Sequence, residues 1–136
     1  MSVLQVKSWI YSKLSTDANL TILTGGLHVY DIVQENVTLP YISYQKTTSK
    51  LVHELDTEVR QHALKLVVVA KADSSLTTHN IMARIEDIFE ADFAPGDIGA
   101  GYNLLSVEMI GTSVEQIDFD IVKGSMDYNI CVERLL

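Results

Sequence analysis

The stretch that decides the fold is Leu14-Ser-Thr-Asp-Ala-Asn-Leu-Thr-Ile-Leu-Thr-Gly-Gly-Leu-His-Val-Tyr-Asp31, followed by Thr38-Leu-Pro-Tyr-Ile-Ser-Tyr-Gln45. Asp17 stands where a side-chain oxygen can accept an orphan backbone N–H, so it caps a one- to two-turn helix through Leu23. Gly25-Gly26 then supplies the positive-φ stop. Leu27 to Asp31 reads as a short strand and Val33 to Leu39 as a loop. Pro40 has no backbone donor and fits the first position of a strand or an edge. From there Tyr41, Ser43 and Gln45 alternate with Ile42, Tyr44 and Lys46.

Upstream, Val3, Val6, Ile10 and Leu14 recur at helical spacing, an amphipathic first helix that Ser2 can cap. Trp9 lies off the centre of its apolar stripe, as a core-edge anchor or a contact to another subunit. Downstream, the polar run Thr47 to Asp56 interrupts strand character, which resumes from Thr57 to Ala70 through Val67-Val68-Val69. The two strands read as a hairpin joined by a long arm around Ser49 to Asp56, and loops of that length tend to be functional. Ser74 or Ser75 caps a helix whose buried stripe is Ile81, Met82, Ile85, Ile88 and Phe89, with His79, Arg84, Glu86, Asp87 and Glu90 on the wet side. Pro95-Gly96, Gly99 and Gly101 break the chain. Two strands close it, Tyr102 to Val114 and about Gly124 to Glu133, linked by the acidic segment Glu115 to Lys123. The expected fold is α+β: a mostly antiparallel sheet with helices on one face and a long hairpin arm, as one domain over residues 1–136.

At 136 residues the chain is long enough to bury a core without metal or disulfide. Its single cysteine, Cys131, cannot form an intrachain disulfide and reads as a small core residue. The N-terminus lacks the basic lead and apolar run of a signal peptide, and no apolar run reaches membrane-spanning length. The net charge of −8 is uneven: residues 1–72 carry seven Lys/Arg against six Asp/Glu, residues 73–136 three against twelve. Such an acidic half argues against gripping a nucleic-acid backbone, which takes clustered Lys/Arg. It does not argue against standing beside DNA.

Reactive chemistry is hard to find. His28, His53, His62 and His79 make no metal-binding spacing with one another or with Cys131. His53 stands beside Glu54 and Asp56, an imidazole–carboxylate grouping capable of acid–base work, but in a polar loop that offers little preorganisation. His62 alternates within a strand as a packed or interfacial imidazole. Asp118 and Asp120 with Glu115 lack the denser Asp/Asn/Gly pattern of a calcium loop. Ser106, Ser113 and Ser125 sit in no nucleophile elbow. No cofactor and no enzymatic activity are expected.

Four landmarks carry a resemblance: the Leu14–Asp31 block, Leu39-Pro-Tyr-Ile-Ser-Tyr-Gln45, Leu66-Val-Val-Val-Ala-Lys71 leading into a Ser-capped helix, and the terminal strand Gly124 to Glu133. In their order and spacing, over roughly Val6 to Glu133, the chain resembles the tail completion (tail terminator) family of long-tailed bacteriophages and related tailed particles. It departs from the usual pattern at Glu115 to Lys123. The resemblance implies a virion structural protein of the tail neck, assembled in the host cytoplasm. It implies a ring, usually of six copies, at the head-proximal end of the tail tube, ending tube polymerisation and offering a face to the head connector. The implied partners are further copies of the chain, the tail tube protein and the head-completion protein, with no membrane, and with DNA passing through without being specifically bound.

Each contact of a closed ring is head-to-tail and needs two different complementary flanks. The arm residues Ser49, Lys50, Leu51, His53, Glu54, Leu55 and Asp56 are the candidate contact to a neighbouring subunit or the tube. Glu86, Glu90, Asp118 and Asp120 are the candidate carboxylates facing the bore, where like charge would keep DNA from sticking. The alternatives from sequence are another neck or head-completion adaptor and, from a different class, a small cytosolic ligand-binding domain.

Overall fold

The computed structural model describes residues 3–26, 28–30, 37–53, 58–72, 75–91 and 93–135. In chain order the elements are α1 (Val3–Ser15), α2 (Ala18–Thr24), β1 (Val29–Tyr30), β2 (Tyr41–His53), β3 (Glu58–Lys71), α3 (Ser75–Glu90), a 3₁₀ turn (Pro95–Ile98), β4 (Tyr102–Asp118) and β5 (Ile121–Arg134). Among the described residues the sheet has five strands in the order β1-β2-β3-β5-β4. β1 pairs parallel with β2, and every other pair is antiparallel. This is the expected α+β architecture. Ser2, Leu27, Asp31, most of the loop before Pro40, Glu54 to Thr57 and Ser74 lie outside the described residues.

The segment around Asp17 folds as its chemistry dictates. Asp17 Oδ2 accepts from the Leu20 N–H at 2.8 Å, and Gly25, at φ +75°, ends α2. The Gly26 N–H reaches back to the Thr21 carbonyl at 3.0 Å, which satisfies a helix-end acceptor. His28 Nδ1 lies 2.9 Å from the Thr24 carbonyl and 3.1 Å from that of Pro40. Both are acceptors, so this nitrogen carries the proton and ties the end of α2 to the entry of β2. The Leu39–Pro40 peptide bond is cis.

The helices cover one face of the sheet. Val6, Trp9, Ile10 and Leu14 of α1, Leu20 of α2 and Ile81, Met82, Ile85 and Phe89 of α3 pack with Leu64, Leu66 and Val68 of β3 and Met126, Tyr128 and Ile130 of β5. The strand residues alternate, so one set faces the helices and the other does not. Burying each of these large aliphatic side chains contributes roughly 1.5–3 kcal/mol. Trp9 is a core residue, its ring 5.7 Å from that of Phe89, which lies 5.0 Å from Tyr128. α3 approaches the sheet closely at Gly124: a Cβ there would overlap the Met82 sulfur and lie 2.9 Å from Thr78 Cγ2. α2 is held to α3 by a fork from Arg84 to Asp17, with bonds of 2.6 and 2.8 Å.

Four expectations need correction. The polar run beginning at Thr47 does not interrupt β2, which continues to His53. β3 pairs with β5 along its whole length, from Glu58 opposite Arg134 to Lys71 opposite Ile121. Most of the arm is therefore paired strand built into the sheet, and only residues 54–57 between β2 and β3 lie outside the described residues. Second, the link Glu115 to Lys123 is mostly strand: β4 runs to Asp118 and β5 begins at Ile121. Third, Cys131 is not a core residue. It pairs with Gln61 and Ser106 in the ladders and is partly exposed on the face away from the helices. Gln45 is also an extra residue in the ladder, which steps from Tyr44–Leu66 to Lys46–Lys65, so the alternation read through to Lys46 does not carry past Tyr44.

Candidate functional site

The features that distinguish this surface are its strand edges and its acidic side chains. β1 covers only Ile42 and Ser43 of β2. From Tyr44 to His53 the outer edge of β2 pairs with no strand among the described residues. β4 forms the opposite edge along its full length. Native sheets usually blunt such edges with charge or bulges. β4 has three bulges, at the ladder steps Leu104–Ser106, Met109–Gly111 and Gln116–Asp118. The extra residues are Leu105, Ile110 and Ile117, and all three are exposed aliphatics. On β2, Val52 is the extra residue at the second bulge and is exposed too, beside exposed Leu51.

Of the expected contact residues, Ser49, Lys50 and Leu51 lie on the open distal half of β2 and are exposed. His53 ends the strand, and Glu54, Leu55 and Asp56 lie outside the described residues. The distal end of the hairpin is held by Glu58, whose carboxylate meets Arg60 at 2.5 Å and Arg134 at 3.8 Å. These guanidinium groups, Arg60 foremost, hold the Glu58 carboxyl below the usual range.

The four expected bore-facing carboxylates fall into two groups. Glu86 and Glu90, with Phe89, Phe93, Val107, Glu108, Met109 and Tyr128, line an open depression of about 660 Å³ between α3 and the β4 edge. Loss of hydration, with repulsion from Glu86 and Asp87, raises the Glu90 pKa. Burial, then the charges of Glu86 and Glu90, pushes the Tyr128 phenol up as well. Asp118 and Asp120 sit instead at the β4–β5 turn, about eight strand residues from Tyr128, or roughly 26 Å along the sheet. Asp118 Oδ1 accepts from the Phe119 N–H at 2.7 Å, and the Asp120 carbonyl accepts from the Ala72 N–H at 2.8 Å. Phe119 between them is 92% exposed.

Sequence reasoning missed Glu108, because nothing in a linear pattern reveals that β4 passes beside the end of α3. It also missed the edge aliphatics, whose meaning depends on strand order. Among the described residues no group of three His, Cys, Asp or Glu side chains is arranged to hold a metal ion. His62 is fully buried in β3 on the helix-covered face, and burial, with Arg60 nearby, lowers its pKa, so it is a neutral packed imidazole. The surface offers edges, aliphatic anchors and carboxylates, which suit assembly.

Known proteins agree in kind. A family model described as "Tail completion protein gp17" matches residues 8–133. Among solved structures, a chain of one described as "Virion of native gene transfer agent (GTA) particle" superposes with a TM-score of 0.79 at 19% identity, covering 94% of each chain. At that identity the likeness establishes the shared fold. No curated protein matches the chain.

Proposed function

Because this chain belongs to the tail completion protein gp17 family, we propose that it is a structural virion component that closes the head-proximal end of a tail tube as a ring of copies, most simply six. It ends tube growth there and presents the surface on which the head connector docks. The family match over nearly the whole chain carries this reading. The fold shared with a chain of a gene transfer agent particle supports it, as do two unlike open sheet edges, which a head-to-tail ring requires. No step in this role needs a bond to be made or broken.

In this reading the β2–β3 hairpin, with Ser49, Lys50, Leu51, His53, Glu54, Leu55 and Asp56 at its distal end, touches a neighbouring subunit or the tube. Glu86, Glu90, Asp118 and Asp120 face the bore, and their charge lets DNA slide past without being held. Particles made without this chain test the function. The expected result is unjoined heads and tails, with tubes of irregular or excess length by negative-stain imaging. Joined particles with tails of normal length would overturn it. Replacing residues 49–56 by a two-residue turn tests the hairpin: head-competent tails in normal yield would show that it makes no necessary contact.

A further inference from the structure

The two open edges of the sheet differ in charge. β2 carries Lys46 and Lys50 and no Asp or Glu; β4 carries Glu108, Glu115 and Asp118 and no Lys or Arg. Both edges also show exposed aliphatics: Leu51 and Val52 on one, Leu105, Ile110 and Ile117 on the other. Each edge thus offers what the other lacks in charge and matches it in apolar surface. Their directions match as well. Three antiparallel pairings separate β2 from β4, so the two strands run in opposite senses within one copy. When a second copy continues the sheet sideways by rotation about a ring axis, β4 of one copy meets β2 of the next antiparallel.

The ladders supply a register. One row across the sheet is Thr48–Ala63–Asn129–Glu108. Its neighbours on the same face are Lys50–Gln61–Cys131–Ser106 and Lys46–Lys65–Asp127–Gly111. Continued without stagger, the sheet brings Glu108 opposite Thr48 of the next copy, with Lys46 and Lys50 of that copy on the two diagonals. Diagonal cross-strand neighbours lie roughly 7–8 Å apart, within reach of Glu and Lys side chains. The contact falls on the bulge-free stretch Ser106–Met109 of β4, with Leu105 and Ile110 at its two ends. β1 is no obstacle, because it pairs only with Ile42 and Ser43.

We propose that copies of this chain join by edge-to-edge strand addition, the distal half of β2 from one copy pairing antiparallel with β4 of the next, with Glu108 seated between Lys46 and Lys50. The occupant of each edge is a second copy of this chain. This rests on the ring reading above and specifies its interface.

Cysteine cross-linking in assembled particles tests it. In a Cys131→Ser background, Lys50→Cys, which the register sets directly opposite Ser106 of the neighbouring copy, is combined in turn with Ser106→Cys and with Ser113→Cys, all at exposed positions on the same face. Within one copy β2 and β4 are three strand spacings apart, about 14 Å, beyond the roughly 7 Å that a disulfide bridges. Any bond between these positions therefore joins two copies. The expected result under mild oxidant is a ladder of covalent oligomers on non-reducing gels, strongest for Lys50→Cys with Ser106→Cys and absent from each single variant. Particles that hold the double-cysteine chain in ring form but give no ladder would overturn the edge pairing and leave the ring reading intact. Particles in which the chain stays solitary would overturn the ring reading itself.

A charge exchange gives a second readout. Glu108→Lys should lower incorporation into particles by about tenfold or more, as like charges are brought together. Adding Lys46→Glu and Lys50→Glu should restore most of it. Full incorporation of Glu108→Lys alone, or failure of the exchange to restore a chain that still folds, would count against the pairing.

Discussion

At the scale of single residues, Asp17 does two jobs with one carboxylate. It caps α2 through Leu20 and receives the guanidinium of Arg84, which binds α2 to α3. Asp17→Ala should cost about 1 kcal/mol for the cap alone, and more because Arg84 loses its partner, measured by urea denaturation. The hydrogen bond from Arg84 holds the Asp17 carboxyl below its ordinary value of 3.8. A carboxylate with a depressed folded pKa contributes stability that is complete above its unfolded pKa and is lost as pH falls through the folded value. The gap in thermal midpoint between the native chain and Asp17→Asn should thus be full at pH 7 and shrink below about pH 4. Gly124 is the other single position with large leverage. Gly124→Val should force α3 away from β5 and cost about 1–3 kcal/mol by overpacking, visible as a lower midpoint in chemical denaturation. The Asp17 cap and the Gly25 stop were legible in the sequence because both act within one turn of chain. The role of Gly124 was not, because the atoms it must admit, on Thr78 and Met82, lie on a distant segment.

Among elements, the helices were easy to read and the strand ends were not. The stripes Val6–Ile10–Leu14 and Ile81–Ile85–Phe89 are buried as their period demands. β2 beyond Lys46 and β4 beyond Val114 look like loops because a strand with no helix over it and no neighbour at its edge has little apolar surface to bury, and polar residues stand there at no cost. Bulges hide these strands further, since each extra residue breaks the alternation by which strands are recognised. The same logic assigns a place to the aliphatics on β4. Leu105, Ile110 and Ile117 are too exposed to hold the isolated chain together. Replacing each in turn by Ser should change the denaturation free energy of the isolated chain by no more than about 0.5 kcal/mol, while reducing its retention in particles. A large loss of stability would show that they serve the fold instead.

For the whole molecule, charge is the property with most reach. The excess of carboxylate lies in residues 73–136, which form α3, β4 and β5. The sequence assigned Glu86, Glu90, Asp118 and Asp120 together to the bore, but Glu86 and Glu90 stand beside Tyr128, far along β5 from Asp118 and Asp120. The first group lies beside the middle of β4 and β5, the second at the turn that joins them. Association that depends on exposed lysines meeting exposed carboxylates is screened by salt. Self-association of the purified chain, followed by sedimentation velocity, should weaken several-fold between about 50 mM and 500 mM salt. An apolar interface without these charge pairs would hold or strengthen instead.

Trp9 is the only indole in the chain, and it lies buried against Phe89 of α3, on the opposite side of the sheet from Lys50, Ser106 and Ser113. Its fluorescence should be blue-shifted in the native protein and move to longer wavelength only when the core opens. Joining of subunits along the strand edges leaves that ring's surroundings untouched. Emission from one residue can thus certify that an altered chain has folded before its failure to assemble is blamed on the interface.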